Sequence, residues 1–203
     1  EEAIFEVQGI LLDLSLPPVL SRRQCVKLPQ RVTWAKQTVQ ITGLGLPFFA
    51  DTMNAVNGIH HSISRKYAAS GLRPWRSTQL GDYISLDVGN RYITPNTFTN
   101  GESAIPFHPL VDPHGILLEA TRDVGSHLAD NEVRYFERLH NSSGIASFED
   151  IDPAVFRPGQ IVQLQVSFVT VPVAGAKGIY QVTPKLRSIA ILDRSLQEVS
   201  NKH

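Results

Sequence analysis

The chain has a single cysteine, Cys25, and a single methionine, Met53. One thiol excludes an internal disulfide framework and a cysteine-based zinc site, and it fits a reducing intracellular compartment, cytoplasmic or nuclear. No apolar run approaches the ~20 residues that a bilayer-spanning helix needs, so no membrane partner is expected. Glu1 and Glu2 do not open a basic and then apolar leader, and no signal peptide is visible. Signature motifs are missing too. There is no G-x-S-x-G elbow, no Walker P-loop and no H-E-x-x-H, and Gly43 and Gly45 lack the third glycine of a dinucleotide fingerprint. The expectation is a protein without a cofactor and, on balance, without catalysis.

Net charge is also lacking, because 19 basic residues balance 19 acidic ones. The balance is global, not local. Between positions 14 and 80, nine basic residues stand against Asp51 alone, a local charge of +8. They are Arg22, Arg23, Lys27, Arg31, Lys36, Arg65, Lys66, Arg73 and Arg76. Such an excess predicts a footprint for an anionic partner unless folding interleaves it with acidic segments.

With 42% apolar and 19% charged residues the chain can build a sizeable core. No repeat or Pro/Ser linker divides it, so residues 1–203 read as one domain. Residues 3–16, 31–42, 82–88, 91–94, 103–107, 115–121 and 132–139 read as strands, and 147–156 as a helical turn opened by Ser147 and Asp150. The clearest pattern lies near the C-terminus. Val162, Leu164, Val166 and Phe168 alternate with Gln163, Gln165 and Ser167, predicting an antiparallel strand with those four apolar side chains inward. A turn at 172–178 then returns the chain along Ile179–Leu192, where Pro184 demands an edge or a bulge.

One segment has the helical period. Val56, Ile59, His60, Ile63 and Tyr67 recur every three or four residues, predicting an amphipathic helix near 51–70, with Asp51 as N-cap and Gly71 beyond its end. The fold class is therefore mainly β (α+β), an antiparallel barrel or sandwich with an OB-like pattern and one helix.

Three places carry chemistry-bearing residues. Arg73-Pro74-Trp75-Arg76 sets a flat ring between two guanidinium groups just after the helix. Bases stack on such rings while Arg and Lys neutralise phosphates. His108, Asp112 and His114 have the donor types of a metal site, but the spacing matches no known signature and the prolines place them in a loop. Asp123, His127 and Asp130 offer acid–base groups without a nucleophile at readable spacing. His60, on the apolar stripe, reads as a hydrogen-bonded core histidine, and Asn141-Ser-Ser143 as an acceptor pattern for glycosylation.

Asp112-Pro-His-Gly-Ile-Leu and Asp130-Asn-Glu-Val-Arg-Tyr-Phe136 resemble the middle of a set of fungal hypothetical proteins. Phe156-Arg-Pro-Gly-Gln-Ile-Val162 and Leu186-Arg-Ser-Ile-Ala-Ile-Leu-Asp193 resemble them as well. The resemblance covers the C-terminal half and brings no catalytic residue with it.

Three functions remain open at this point. The first is a non-catalytic module that binds single-stranded nucleic acid through segments 22–36 and 65–76. Its site residues would be Arg22, Arg23, Lys27, Arg65, Lys66, Arg73, Trp75 and Arg76. The second is a protein-interaction or structural β-domain that meets an acidic protein partner. The third is a metal-dependent enzyme that uses the 108–114 loop.

Overall fold

A computed structural model of the chain describes residues 2–25, 35–67, 71–140 and 145–194. Along them run strand β1 (Phe5–Ser15), the one-turn helix α1 (Arg22–Cys25), β2 (Lys36–Thr42) and the long helix α2 (Pro47–Lys66). Then come β3 (Thr78–Leu80), β4 (Tyr83–Arg91), β5 (Thr94–Pro95), helix α3 (Ile116–Thr121) and β6 (Gly125–Ser126). The chain continues through β7 (Arg134–His140), β8 (Ala146–Asp150), β9 (Ile161–Pro172) and β10 (Tyr180–Asp193).

Strands β4, β2, β1, β9 and β10 are hydrogen-bonded in that order, and β10 returns to β4. The closure is a parallel pairing of Lys185 with Gly89, and it makes a five-stranded, OB-like barrel. Strand β3 lies outside β4, while β7 and β8 extend the sheet beyond β10. No helix among the described residues is long and apolar enough to cross a membrane.

The period-two strand builds the barrel interior. β9 pairs with both β1 and β10, and Val162, Leu164 and Val166 are fully buried. Facing them are Leu11, Ile41, Leu86, Leu186 and Ile189, each almost wholly shielded from water. Each such side chain contributes roughly 1.5–3 kcal/mol over its exposed state. Phe168 departs from the expectation. It packs on the core but is only half-buried, because near the turn of the hairpin its ring meets Phe5 edge-on at 5.7 Å and Phe5 is itself exposed. Pro184 stands opposite Phe168, just before β10 reaches its second neighbour at Lys185, so its missing N–H interrupts no ladder on that side.

The helix begins earlier than the sequence suggests. Leu46 is its N-cap and Pro47 supplies a preset φ at the first turn, which places Asp51 inside α2. The buried stripe is Phe49, Met53 and Val56, continued by half-buried His60, Ile63 and Tyr67. Gly43 makes the seating possible, since a Cβ there would fall 2.2 Å from the Cβ of Phe49.

Three local expectations are overturned, the first at 103–107, which forms no strand. Residues 116–121 form α3 instead of a strand, because Asp112 receives the Leu117 and Leu118 amides on its two carboxylate oxygens at 3.0 and 2.9 Å. Gly115, at φ 67°, turns the chain into that helix. Residues 146–150 form β8 instead of a helical turn, because they pair with β7 from Phe136 to His140. The helical turn expected within 147–156 lies later, at 153–155, where Asp152 accepts the Ala154 amide at 2.8 Å.

Candidate functional site

Side chains directly opposite in an antiparallel pair lie on one face of the ribbon. Register between β2 and β4 sets Lys36 opposite Arg91, Thr38 opposite Gly89, Gln40 opposite Asp87 and Thr42 opposite Ser85. The intervening Gln37, Val39, Ile41, Leu86, Val88 and Asn90 are buried in the protein. Lys36, Thr38, Gln40, Asp87, Gly89 and Arg91 of the first set are reached by solvent and line the outside of the barrel, whereas Thr42 and Ser85 on the same side are covered. Gly89 keeps this floor low, and no side chain fits there: a Cβ would lie 2.8 Å from the carbonyl oxygen of Gln37.

Two walls rise from the floor and enclose a groove of about 1130 Å³. One wall is the strip Arg73-Pro74-Trp75-Arg76, and the other is the tip of the β9–β10 hairpin around Val171 and Gln181. The strip is fastened at several points. The Arg73 amide donates to the Tyr180 carbonyl and the Tyr180 amide to the Gly71 carbonyl, both at 2.8 Å. His60 Nε2 donates to the Arg73 carbonyl at 2.9 Å, and the rings of Tyr67 and Tyr180 pack with centroids 5.3 Å apart.

Five basic side chains line the groove, against the carboxylates of Asp87 and Asp130. Lys36, Arg73, Arg76 and Arg91 are exposed and have no ion-pair partner among the described residues. Lys185 differs: it is bound to Asp130, which also accepts from Arg187 at 2.8 Å, and Arg187 reaches Glu2. Burial would raise the Asp130 and Glu2 carboxyls, but their basic partners prevail and hold both below the ordinary range. Asp87 accepts from the Thr78 hydroxyl on the groove floor. Trp75 is half-buried and packs on the barrel core while lining the groove, and its Nε1 is buried without a hydrogen-bond partner among the described residues.

Of the residues singled out from the sequence, the structure brings Arg73, Trp75 and Arg76 together in this groove. Arg65 and Lys66 are exposed on the last turn of α2, ahead of the strip and outside the groove lining. Arg22 and Arg23 lie on α1, which packs near α3 instead. Lys27, Trp34 and Asn141-Ser-Ser143 lie outside the described residues. Arg91 and Lys185 escaped the sequence reading because they sit in a stretch with excess acid. Only the β2–β4 register and the β4–β10 closure bring them to Lys36 and the strip.

The other chemistry-bearing clusters are engaged in holding the fold. Asp112 caps α3 with both oxygens, and His108 Nδ1 accepts the Leu110 amide at 3.2 Å. Among the described residues no group of three or more His, Cys, Asp or Glu is placed to hold a metal ion. His127 Nδ1 donates to the Tyr92 carbonyl at 2.7 Å while Asp130 binds Lys185 and Arg187, so these two groups serve different neighbours.

No protein-family model and no curated protein matches the chain. Among solved structures it is similar to gp2.5, a single-stranded DNA binding protein encoded by bacteriophage T7. The two are 12% identical over 95% of this chain and 87% of that chain, with a TM-score of 0.44.

Proposed function

We propose that this protein is a non-catalytic module that binds single-stranded nucleic acid in the groove between the 73–76 strip and the β9–β10 tip. One observation carries the reading: four exposed basic side chains with no ion pair among the described residues share one groove with Trp75 on the outer face of β2 and β4. These are the second and third strands of the barrel, and the groove reaches the connection between its fourth and fifth strands. OB-type barrels bind oligonucleotides on that surface. Lys36, Arg73, Arg76 and Arg91 would neutralise phosphates, and Trp75 would present a ring to a base. Arg65 and Lys66, on the last turn of α2 just before the strip, would extend the basic path. An intracellular location goes with such a ligand.

The test is a salt series with labelled single-stranded and duplex oligonucleotides. Four phosphate contacts on a single strand give a slope of about −2.8 in log K against log salt. Replacing Arg73 and Arg76 together by Ala should reduce it to about −1.4. Trp75→Phe should keep the slope and most of the affinity. If micromolar protein at about 50 mM salt leaves both probes free, the reading fails, and an acidic protein partner becomes the occupant to test.

A further inference from the structure

A second cavity, of about 460 Å³, lies between the 106–111 loop and the start of β7, and Asn131 lines both it and the groove. Its size falls in the roughly 300–1,000 Å³ range of small-molecule sites, and its walls combine aromatic and aliphatic side chains with polar ones that can fix a ligand's orientation. Phe107 and His127 are stacked there, with centroids 4.3 Å apart and planes 25° apart. Buried Val111, Val133 and Tyr92 add apolar wall. Because His127 Nδ1 donates to the Tyr92 carbonyl, the imidazole is the tautomer whose Nε2 is a bare acceptor. No described residue donates to that Nε2. Burial holds the ring below the ordinary histidine range, so it stays neutral at pH 7.

The surroundings disfavour an anion. The one Arg or Lys among the described lining residues, Arg134, is paired with Asp150 at 3.4 Å and lies over the Phe136 ring. Glu132 also lines it. An aliphatic ligand would forgo the aromatic contacts and leave Nε2 unpaired.

We infer that this cavity is a second binding site, for an uncharged planar nitrogen heterocycle whose N–H donates to His127 Nε2. That is the chemistry of a nucleobase, and the base can come from a free nucleoside or from a strand. The inference stands apart from groove binding, since a nucleoside needs none of the groove's basic residues.

The experiment titrates the full chain with adenosine, guanosine, cytidine and uridine by ligand-observed NMR. In parallel, it measures affinity for a short oligonucleotide. His127→Phe keeps a ring against Phe107 but removes the acceptor, and should weaken base binding about tenfold. Leu110→Trp starts from an exposed residue at the cavity wall, so it fills the site without disturbing the core and should abolish binding. Nucleoside binding lost in both variants, and retained when Arg73 and Arg76 are replaced, supports the site with a free base as ligand. Silent nucleosides with oligonucleotide affinity reduced in both variants supports it with a strand-borne base. Nucleoside and oligonucleotide signals that ignore both variants, or no binding of either by the unmodified protein at millimolar nucleoside, would overturn it.

Discussion

His60 Nε2 donates to the carbonyl oxygen of Arg73 across 2.9 Å, which fastens the middle of α2 to the strip that carries Trp75. The hydrogen bond joins the two features the sequence made conspicuous, the helix with its apolar stripe and the basic aromatic tetrapeptide behind it.

His60→Ala should therefore loosen the strip without changing its charge. On a Trp34→Phe background, where Trp75 is the sole indole, emission should shift to the red as the ring gains water. Oligonucleotide affinity should fall about threefold to tenfold, equivalent to the ~1 kcal/mol of one hydrogen bond, with the salt slope unchanged. Unaltered emission and affinity would mean that the two amide bonds to Tyr180 and Gly71 suffice to hold the strip.

Burial along β9 predicts two very different truncation costs. Leu164 is fully enclosed, and Leu164→Ala should cost ~2–5 kcal/mol in denaturant melts. Phe168 is half-buried against an exposed Phe5, so Phe168→Ala should cost only about 1–3 kcal/mol despite the larger side chain. Equal losses at the two sites would contradict the lower burial of β9 towards the hairpin turn.

The same strand shows how far the sequence reaches. A period of two is local and strong, so β9, its turn and β10 were legible, as was the helix from its three- and four-residue spacing. The failures came where a few polar atoms outweigh pattern. Ile116, Leu117 and Leu118 look like strand residues, yet the Asp112 carboxylate and the left-handed Gly115 start a helix there. Ser147 and Asp150 mimic a capping box, but β7 offers backbone partners to that segment. For the groove, the tetrapeptide with Trp75 was visible because its charges and ring are contiguous. Arg91 and Lys36 are 55 positions apart and become neighbours only through strand register, which composition does not encode.

Stability should decline with acid in two windows. Burial lowers the His127 pKa, so the unfolded chain takes up that proton first and stability erodes as pH falls below about 6.5. Asp130 and Glu2 are held down by Lys185 and Arg187 in spite of burial. Their contribution is complete above the unfolded values near 4 and is lost as pH falls through the lower folded ones. Melting curves from pH 8 to pH 2 should show both declines. His127→Phe should remove the upper one alone, and Asp130→Asn should shrink the lower one. A single decline, unaffected by His127→Phe, would remove the histidine from this account.

Among the described residues, Asp87 is the groove-lining carboxylate that no base holds; it accepts from the Thr78 hydroxyl. It faces the same side of β4 as Arg91 and stands opposite Gln40, within a surface that otherwise attracts phosphate. Asp87→Asn retains an acceptor for Thr78 and removes one negative charge. Phosphates passing over the floor would then meet less repulsion, and single-strand affinity should rise about twofold to fivefold at low salt. The gain should fade between about 0.01 M and 0.1 M salt, as the screening length drops from about 30 Å to about 10 Å. A loss of affinity would assign the carboxylate a different part. It would then accept from a base amino group, and the loss should be greatest on cytosine-rich strands, whose N4 amino group is the donor that a carboxylate reads. The two outcomes differ in sign, so one titration of the variant decides whether Asp87 repels the backbone or contacts the bases.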